Sequence, residues 1–341
     1  ALAYRYYGIF LAKKVQCLDP GRTPPSIAFA DGHDYHKTNR FVLFGHHFAA
    51  IAAAGPLLGP VLAAQFGWLP GTLWIVIGCV LGGAVHDMVV LFASVRHKGK
   101  SLSYIAENEI GRRAGIVASF AILFILILTL AGLSIAVVNA LFNSPWGTFT
   151  VLATMPIALF MGVYLYILRK GDVLGASVIG VGLLFLALLA GPHIAADPTW
   201  GRLFTLSRNQ LAIAIPLYGF VASALPVWLL LCPRDYLSTY LKLGVIVMLV
   251  GGIAFVHPRF EMAALTPFVK GGGPIIPGAV FPFIFITIAC GALSGFHAII
   301  GTGTTPKMIA SEKDILFVGY GAMLVEGVVA SMALIAACVL V

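Results

Sequence analysis

Charged side chains are scarce in this sequence. They make up 10% of its 341 residues, whereas 60% of the residues are apolar; ordinary soluble domains carry roughly 25% charged residues. The mean hydropathy is +0.99. A soluble protein of this composition would expose an apolar surface to water and precipitate, so the soluble classes are excluded. The sequence therefore predicts a protein of the lipid bilayer.

Cysteine is also sparse, and the spacing of the cysteines does not indicate a metal site or a disulfide framework. The sequence contains no C-x-x-C pair, no haem-attachment motif and no H-E-x-x-H motif. We therefore expect inert buried thiols, no bound metal and no cofactor. No pattern of an enzyme active site is recognisable either, and we expect that the protein is not an enzyme. The five cysteines are Cys17, Cys79, Cys232, Cys290 and Cys338.

Long apolar runs dominate what is present, and they predict an all-α integral membrane protein. A helix needs about 20 apolar residues to cross the hydrocarbon core. Nine full spans are predicted after a partial one, and we interpret residues 1–16 as the end of a preceding transmembrane helix. We expect the chain to be a fragment cut at both ends. The nine predicted spans are 43–65, 71–95, 114–142, 150–168, 175–195, 209–232, 241–256, 279–303 and 316–341.

The positions of lysine and arginine predict the orientation. Residues 13–42 and 96–113 carry five each, whereas 66–70 and 143–149 carry none. Because basic loops face the cytoplasm, residues 17–42 are predicted to form a cytoplasmic linker that includes the His33–Lys37 loop. The net charge of +8 is then a topology signal and does not indicate a nucleic-acid partner.

Two predicted spans contain helix-breaking residues at matched positions. Gly55-Pro56 interrupts the first span, and Tyr218-Gly219 lies beside Pro216 in the sixth. Broken helices are tolerated in a membrane where they line a protein-enclosed site. The two interruptions are five spans apart. Because five is an odd number, the second unit starts from the opposite face of the membrane, so we predict an inverted repeat with a site at the midplane. The units are residues 43–195 and 209–341, the second incomplete at its C-terminus.

Ionisable residues within predicted spans are costly in lipid and are therefore candidate functional groups. Asp87 is the predicted proton carrier, with His86 or Glu326 as its partner. For the acids, a simple hydrogen bond between helices is the competing explanation. The predicted substrate-binding residues are His46, His47, Gly55, Pro56, Tyr218, Gly219, Ser294, His297, Thr304 and Thr305. The hydroxyls among them would also suit sodium, so the coupling ion, proton or sodium, stays open.

Several long motifs resemble the carbon starvation protein A family. They include Gly45-His46-His47-Phe48, Gly55-Pro56-Leu57-Leu58-Gly59-Pro60, Pro233-Arg234-Asp235-Tyr236, Ser294-Gly295-Phe296-His297 and Thr304-Thr305-Pro306-Lys307. The resemblance implies an inner-membrane carrier of the leucine-transporter type. It also implies proton-coupled uptake of peptides, and in some members pyruvate, during carbon limitation. His86 stands where the family pattern has glutamine, which bears on the coupling pH or ion.

The predicted function is therefore secondary transport of a small molecule, either a peptide or pyruvate, across the bilayer. A membrane metal-binding or redox subunit is the alternative, because His33 and His36 have ligand-like spacing. A channel is a third hypothesis, although no ring of charged residues is visible. The sequence does not choose between peptide and pyruvate, and it does not specify the oligomeric state.

Overall fold

The computed structural model describes residues 1–339, and within that range it contains helices and no strands. Residues 2–15 are helical, and the linker that follows contains one short helix, Pro25–Ala28. The main helices are α1 (Arg40–Ile51), α2 (Gly55–Ala63), α3 (Trp68–Arg96), α4 (Arg112–Leu141), α5 (Pro145–Leu168), α6 (Val173–Ala196), α7 (Arg208–Ala224), α8 (Leu231–Val256), α9 (Val280–Thr287), α10 (Gly295–Gly301) and α11 (Leu316–Val339). Shorter helices cover Leu102–Glu109 and Trp200–Phe204.

Six of these helices are long and apolar enough to cross a membrane, namely α3, α4, α5, α6, α8 and α11. Helix α1 and the segment Gly55–Phe66 are bent by 42° and make a seventh span if counted together. The all-helical membrane class is therefore confirmed. The predicted count of nine full spans is not confirmed. Among residues 1–339 the structure contains six such helices, or seven if the bent pair is counted as one span. Leu340 and Val341, at the end of the predicted span 316–341, lie outside the described residues.

Two predicted boundaries differ between the sequence and the structure. The predicted span 209–232 is the 17-residue helix α7, which stops at Ala224, just before Pro226. The predicted short span 241–256 is the last part of α8, which already begins at Leu231. Arg234 and Asp235 lie between the two predicted spans and Lys242 at the start of the second, but in the structure all three belong to α8.

The core lies where α1, α2, α3, α10 and α11 meet. Helix α1 packs along α8, and α11 packs along α2 and the first half of α3. Close approach depends on glycine: a Cβ on Gly59 would lie 2.4 Å from the Thr287 carbonyl oxygen, and one on Gly83 would lie 2.2 Å from that of Ala292. A wide helical turn over Cys79–Gly83 places Gly83 at this contact.

Helix α4 lies at the periphery, and none of its most apolar window is buried. The linker, in contrast, is held against the protein. Within it, His36 and Thr38 donate backbone hydrogen bonds to the carbonyls of Lys307 and Met308, at 3.2 and 3.1 Å. The Trp228 indole donates to the Gly32 carbonyl at 2.9 Å. We call residues 31–38 the strap.

Candidate functional site

The first helix break lies between α1 and α2, at residues 52–54, as Gly55-Pro56 had predicted. A continuous helix would give the Ala49 carbonyl to the Ala53 N–H, but that N–H donates to Ile51 instead, at 2.9 Å. The break therefore frees carbonyl groups in the middle of the protein. Lys242, from α8, donates to the carbonyls of Ala49 and Ala52, each at 2.8 Å.

The second break lies between α9 and α10, at residues 288–294. It contains Gly291, whose φ of +93° lies in the region that favours glycine. The first break contacts the second directly: Cys290 Sγ lies 3.7 Å from the Ile51 carbonyl oxygen. A Cβ on Gly55 would lie only 2.5 Å from the Cys290 Cβ. The two interrupted helices thus cross at their breaks.

A buried network of acids and imidazoles lies beside this crossing. The His297 Nδ1–H donates to Asp87 Oδ2 at 2.8 Å, and His86 Nδ1 is 2.9 Å from Asp87 Oδ1. His297 and Asp87 are almost fully inaccessible, whereas the His86 side chain is 28% exposed. Asp87 is therefore bonded on one side to a sealed imidazole and on the other to an imidazole that reaches the surface.

The other ring nitrogen of His297 faces Glu326. Nε2 lies 3.3 Å from Glu326 Oε2, an oxygen that makes no well-formed hydrogen bond. The Cys290 thiol donates to Glu326 Oε1 at 3.2 Å. One proton shared between His297 and Glu326 would make either an imidazolium beside a carboxylate or an imidazole beside a carboxylic acid. The arrangement is suited to storing and passing a proton.

The paired histidines of α1 bind the loop that follows α10. His46 Nδ1 is 2.9 Å from Asp235 Oδ2, and its Nε2 is 2.8 Å from Thr304 Oγ1. His47 Nδ1 is 2.9 Å from Thr305 Oγ1, while its Nε2 is buried without a partner. The threonine hydroxyls are therefore engaged by imidazoles.

The predicted site residues divide into several groups in the structure. Those at the crossing or in the network beside it are Gly55, Pro56, His86, Asp87, His297 and Glu326. His46 and His47 of α1 are instead bonded to Thr304 and Thr305 of the loop that follows α10. Ser294 is buried at the start of α10. Tyr218 and Gly219 lie elsewhere: Tyr218 packs in a separate apolar cluster with Ala158 and Leu230.

The predicted break at Tyr218-Gly219 is not present, because α7 runs through it and through Pro216 without interruption. The second interruption instead follows Thr287, in a segment that we had predicted as one continuous span. Its sequence, Ile288-Ala289-Cys290-Gly291-Ala292, contains a glycine but no proline. Helix-breaking residues in the sequence therefore gave only a weak indication of this second break.

Three functional candidates were missed from the sequence, namely Asp235, Lys242 and Cys290. In the sequence, Asp235 looks like a charge between two spans, Lys242 like a charge at the start of a span, and the thiol like an inert apolar side chain. Each is significant only through a partner that is distant in the chain, such as His46 for Asp235.

Metal-type donors converge at one place among residues 1–339. One donor atom each from Cys290, His297 and Glu326 lies within 4.8 Å of the others. The loop histidines proposed as ligands are not gathered in this way. His33 pairs with Asp34 at 3.3 Å, whereas the His36 ring packs against Tyr166, with ring centres 4.7 Å apart.

Comparison with known proteins gives the same family as the sequence motifs. A family model described as "Carbon starvation protein CstA" matches residues 1–341. The chain belongs to the carbon starvation protein CstA family. This confirms the resemblance and, with the long apolar helices, makes this CstA-family chain a multi-pass protein of the inner membrane.

Curated members of the CstA family are named as transporters. The chain is 56% identical over 340 residues to "Peptide transporter CstA" of Campylobacter jejuni, covering 99% of this chain and 48% of that protein. It is 54% identical over 339 residues to "Pyruvate/proton symporter BtsT" of Escherichia coli, covering 99% and 47%. The chain spans about half the length of the curated relatives that it matches. No solved structure matches it.

Proposed function

We propose that the chain forms the central part of a secondary transporter that imports small peptides or pyruvate and is driven by protons. The observation that carries the proposal is the buried Asp87–His297–Glu326 network at the crossing of two broken helices. Broken helices provide unpaired backbone groups for a substrate, and buried titratable groups provide a place for a coupled proton. Relatives named for peptide transport and for pyruvate/proton symport support the same activity.

The network offers a proton route with an entry and an end. His86 is partly exposed and bonded to Asp87, and Asp87 is bonded to the sealed His297. Glu326 faces the far side of that ring. A proton entering at His86 would pass to Asp87 and then to His297 Nδ1, in the tautomer of His297 whose own proton is on Nε2 and is given to Glu326. Asp87 is the proposed proton carrier, with His86 and Glu326 at either end.

We infer a leucine-transporter-like inverted repeat whose second unit begins later than residue 209. Helices α1 and α2 form the opening broken helix of the first unit, and α9 and α10 that of the second. Each broken helix is followed by a long helix that carries an acid of the network, α3 with Asp87 and α11 with Glu326. In the orientation predicted from the basic loops, with the strap in the cytoplasm and α7 counted as a crossing, the two broken helices run in opposite directions.

The substrate site that we propose is the crossing itself. Peptides and pyruvate share a carboxylate, and the start of a helix is a favourable place for an anion. Gly55 and Pro56 at the start of α2 and the imidazoles of His46 and His47 are the proposed contacts, with Ser294 and the hydroxyls of Thr304 and Thr305 nearby. Tyr218 and Gly219 are not included, because α7 is unbroken.

The experiment is uptake by proteoliposomes that contain the full-length protein. Labelled pyruvate and a labelled dipeptide are supplied separately, under an imposed pH gradient and then under a sodium gradient. The proposal expects uptake of at least one of them with the pH gradient, and its loss in Asp87→Asn. Absence of uptake of both substrates under both gradients would contradict it.

A metal-binding function is the second candidate, because Cys290, His297 and Glu326 bring nitrogen, sulfur and oxygen donors together. A thiolate and an imidazole favour zinc or another transition metal. Elemental analysis of the purified full-length protein tests it. A stoichiometric metal that is lost in Cys290→Ala would support this function, and a metal-free protein with pH-driven uptake would exclude it.

A further inference from the structure

Lys242 occupies an unusual position for a lysine in a membrane protein. It lies about three turns after the start of α8, in the middle of a 26-residue apolar helix. Its ammonium is bound to Ala49 and Ala52 carbonyl oxygens, each at 2.8 Å. A lysine this deep in a membrane helix is costly unless it is paired, and here backbone carbonyls at the break are its partners.

The carbonyls at this break form the kind of site that binds a small cation. Unwound backbone at the break of a transporter helix coordinates a cation such as sodium, because its oxygens carry partial negative charge and lack helical partners. The oxygens of Ala49 and Ala52 both lie 2.8 Å from Lys242 Nζ. An ammonium has three N–H donors, of which these carbonyls accept two.

The charges around Lys242 also favour a cation at this point. Burial, the largest effect, disfavours the charged ammonium, and Arg234 repels it, whereas Asp235 on α8 and Glu326 on α11 attract it. Asp235 is itself bonded to His46 of α1. The hydrogen bonds of the ammonium itself go to the carbonyls of the break.

We propose that the Lys242 ammonium is the built-in cation of the first helix break, holding the freed carbonyls where a bound alkali cation would otherwise be needed. Sodium is then unnecessary at this point, and the coupling ion is specified as the proton. Only the conclusion about the coupling ion rests on the proposed transport function. The cation site itself is testable without transport.

The test measures the thermal stability of the purified full-length protein in choline chloride, sodium chloride and methylammonium chloride. The variants are Lys242→Ala, which leaves space for a free cation, and Lys313→Ala, a control at an exposed lysine of the loop before α11. Lys242→Ala is expected to melt lower than the wild type in choline and to recover by about 2–4 °C with sodium or methylammonium. The wild type and Lys313→Ala are expected not to respond.

A wild type stabilised by sodium as much as Lys242→Ala would overturn the proposal, and so would a folded Lys242→Ala that responds to neither cation. If Lys242→Ala is not recovered as a folded protein, Lys242→Gln is measured in the same way. Its amide has no charge, so sodium is expected to stabilise it, and no response would overturn the proposal.

Uptake separates this inference from the proposed function. Sodium-independent, pH-driven uptake by the wild type, reduced roughly tenfold or more in Lys242→Ala because a charged hydrogen bond to the break is lost, would support both. A wild type without uptake, together with a cation-dependent Lys242→Ala melting temperature, would contradict the transport function and leave the cation site standing.

Discussion

Asp87 and His297 are 210 residues apart in the chain, yet Asp87 Oδ2 and His297 Nδ1 lie 2.8 Å apart in the interior of the protein. Asp87 belongs to α3 and His297 to α10, the second half of a broken helix. The hydrogen bond therefore joins a continuous helix to the crossing of the two breaks. A change in the protonation state of Asp87 or His297 therefore acts directly on α10, next to the crossing that we propose to bind substrate.

The first prediction concerns the two nitrogens of His297. In His297→Asn the amide N–H can replace Nδ1 toward Asp87, but nothing replaces Nε2 toward Glu326. We expect pH-driven uptake to fall by about a hundredfold, in the range of proton-transfer effects, while substrate exchange without a gradient persists. Both are measured in proteoliposomes with His257→Asn, an exposed histidine, as control. Unchanged pH-driven uptake would exclude His297 from the proton route.

The second prediction concerns the close contact of the helices. Gly83→Ala and Gly59→Ala would each place a methyl group within 2.4 Å of a backbone carbonyl oxygen. We expect each to lower the free energy of unfolding by roughly 1–3 kcal/mol through overpacking. Gly182→Ala in α6 meets nothing within 4 Å and is expected to be neutral or stabilising. Thermal melting of the full-length protein measures the difference, and equal melting of all three would contradict the packing described.

Local features of the fold were predictable from the sequence. Long apolar runs identify most of the membrane helices, because hydrophobicity is a property of each segment alone. Gly55-Pro56 predicted the first break, since two adjacent residues disfavour a helix at that point. Tyr218-Gly219 misled, because a proline and a glycine within a membrane helix are often tolerated, and α7 continues through them.

Partners distant in the chain were not predictable. Asp87 and His297 were both recognised as costly in lipid, but nothing in the sequence pairs them. Lys242 was not recognised as a candidate, because its stabilising partners are backbone carbonyls of another helix, which leave no pattern in the sequence. The second break was missed for a similar reason: its stability depends on contact with the first.

The third prediction concerns pH and the strap. Burial lowers the pKa of His36 below the ordinary 6.5, where its ring packs against Tyr166. A released strap therefore binds a proton more readily than a docked one. Docking is fully stable above about pH 6.5 and weakens as the pH falls below that value.

Hydrogen exchange of residues 31–38, corrected for its intrinsic pH dependence, is compared at about pH 7.5 and about pH 5.5. We expect faster relative exchange at the lower pH in the wild type. His36→Phe keeps an aromatic ring without a titratable nitrogen and is expected to lose this dependence. The same acid-induced loosening in His36→Phe would assign the effect to another group.

The most direct test of the account is proton entry driven by substrate. Proteoliposomes that contain the full-length protein and a trapped pH-sensitive dye are given pyruvate or a dipeptide in the external buffer. No pH or sodium gradient is imposed. We predict that the interior acidifies with the wild type, and that Asp87→Asn abolishes acidification while still exchanging substrate. Acidification by Asp87→Asn at the wild-type rate would contradict the central claim that Asp87 carries the coupled proton.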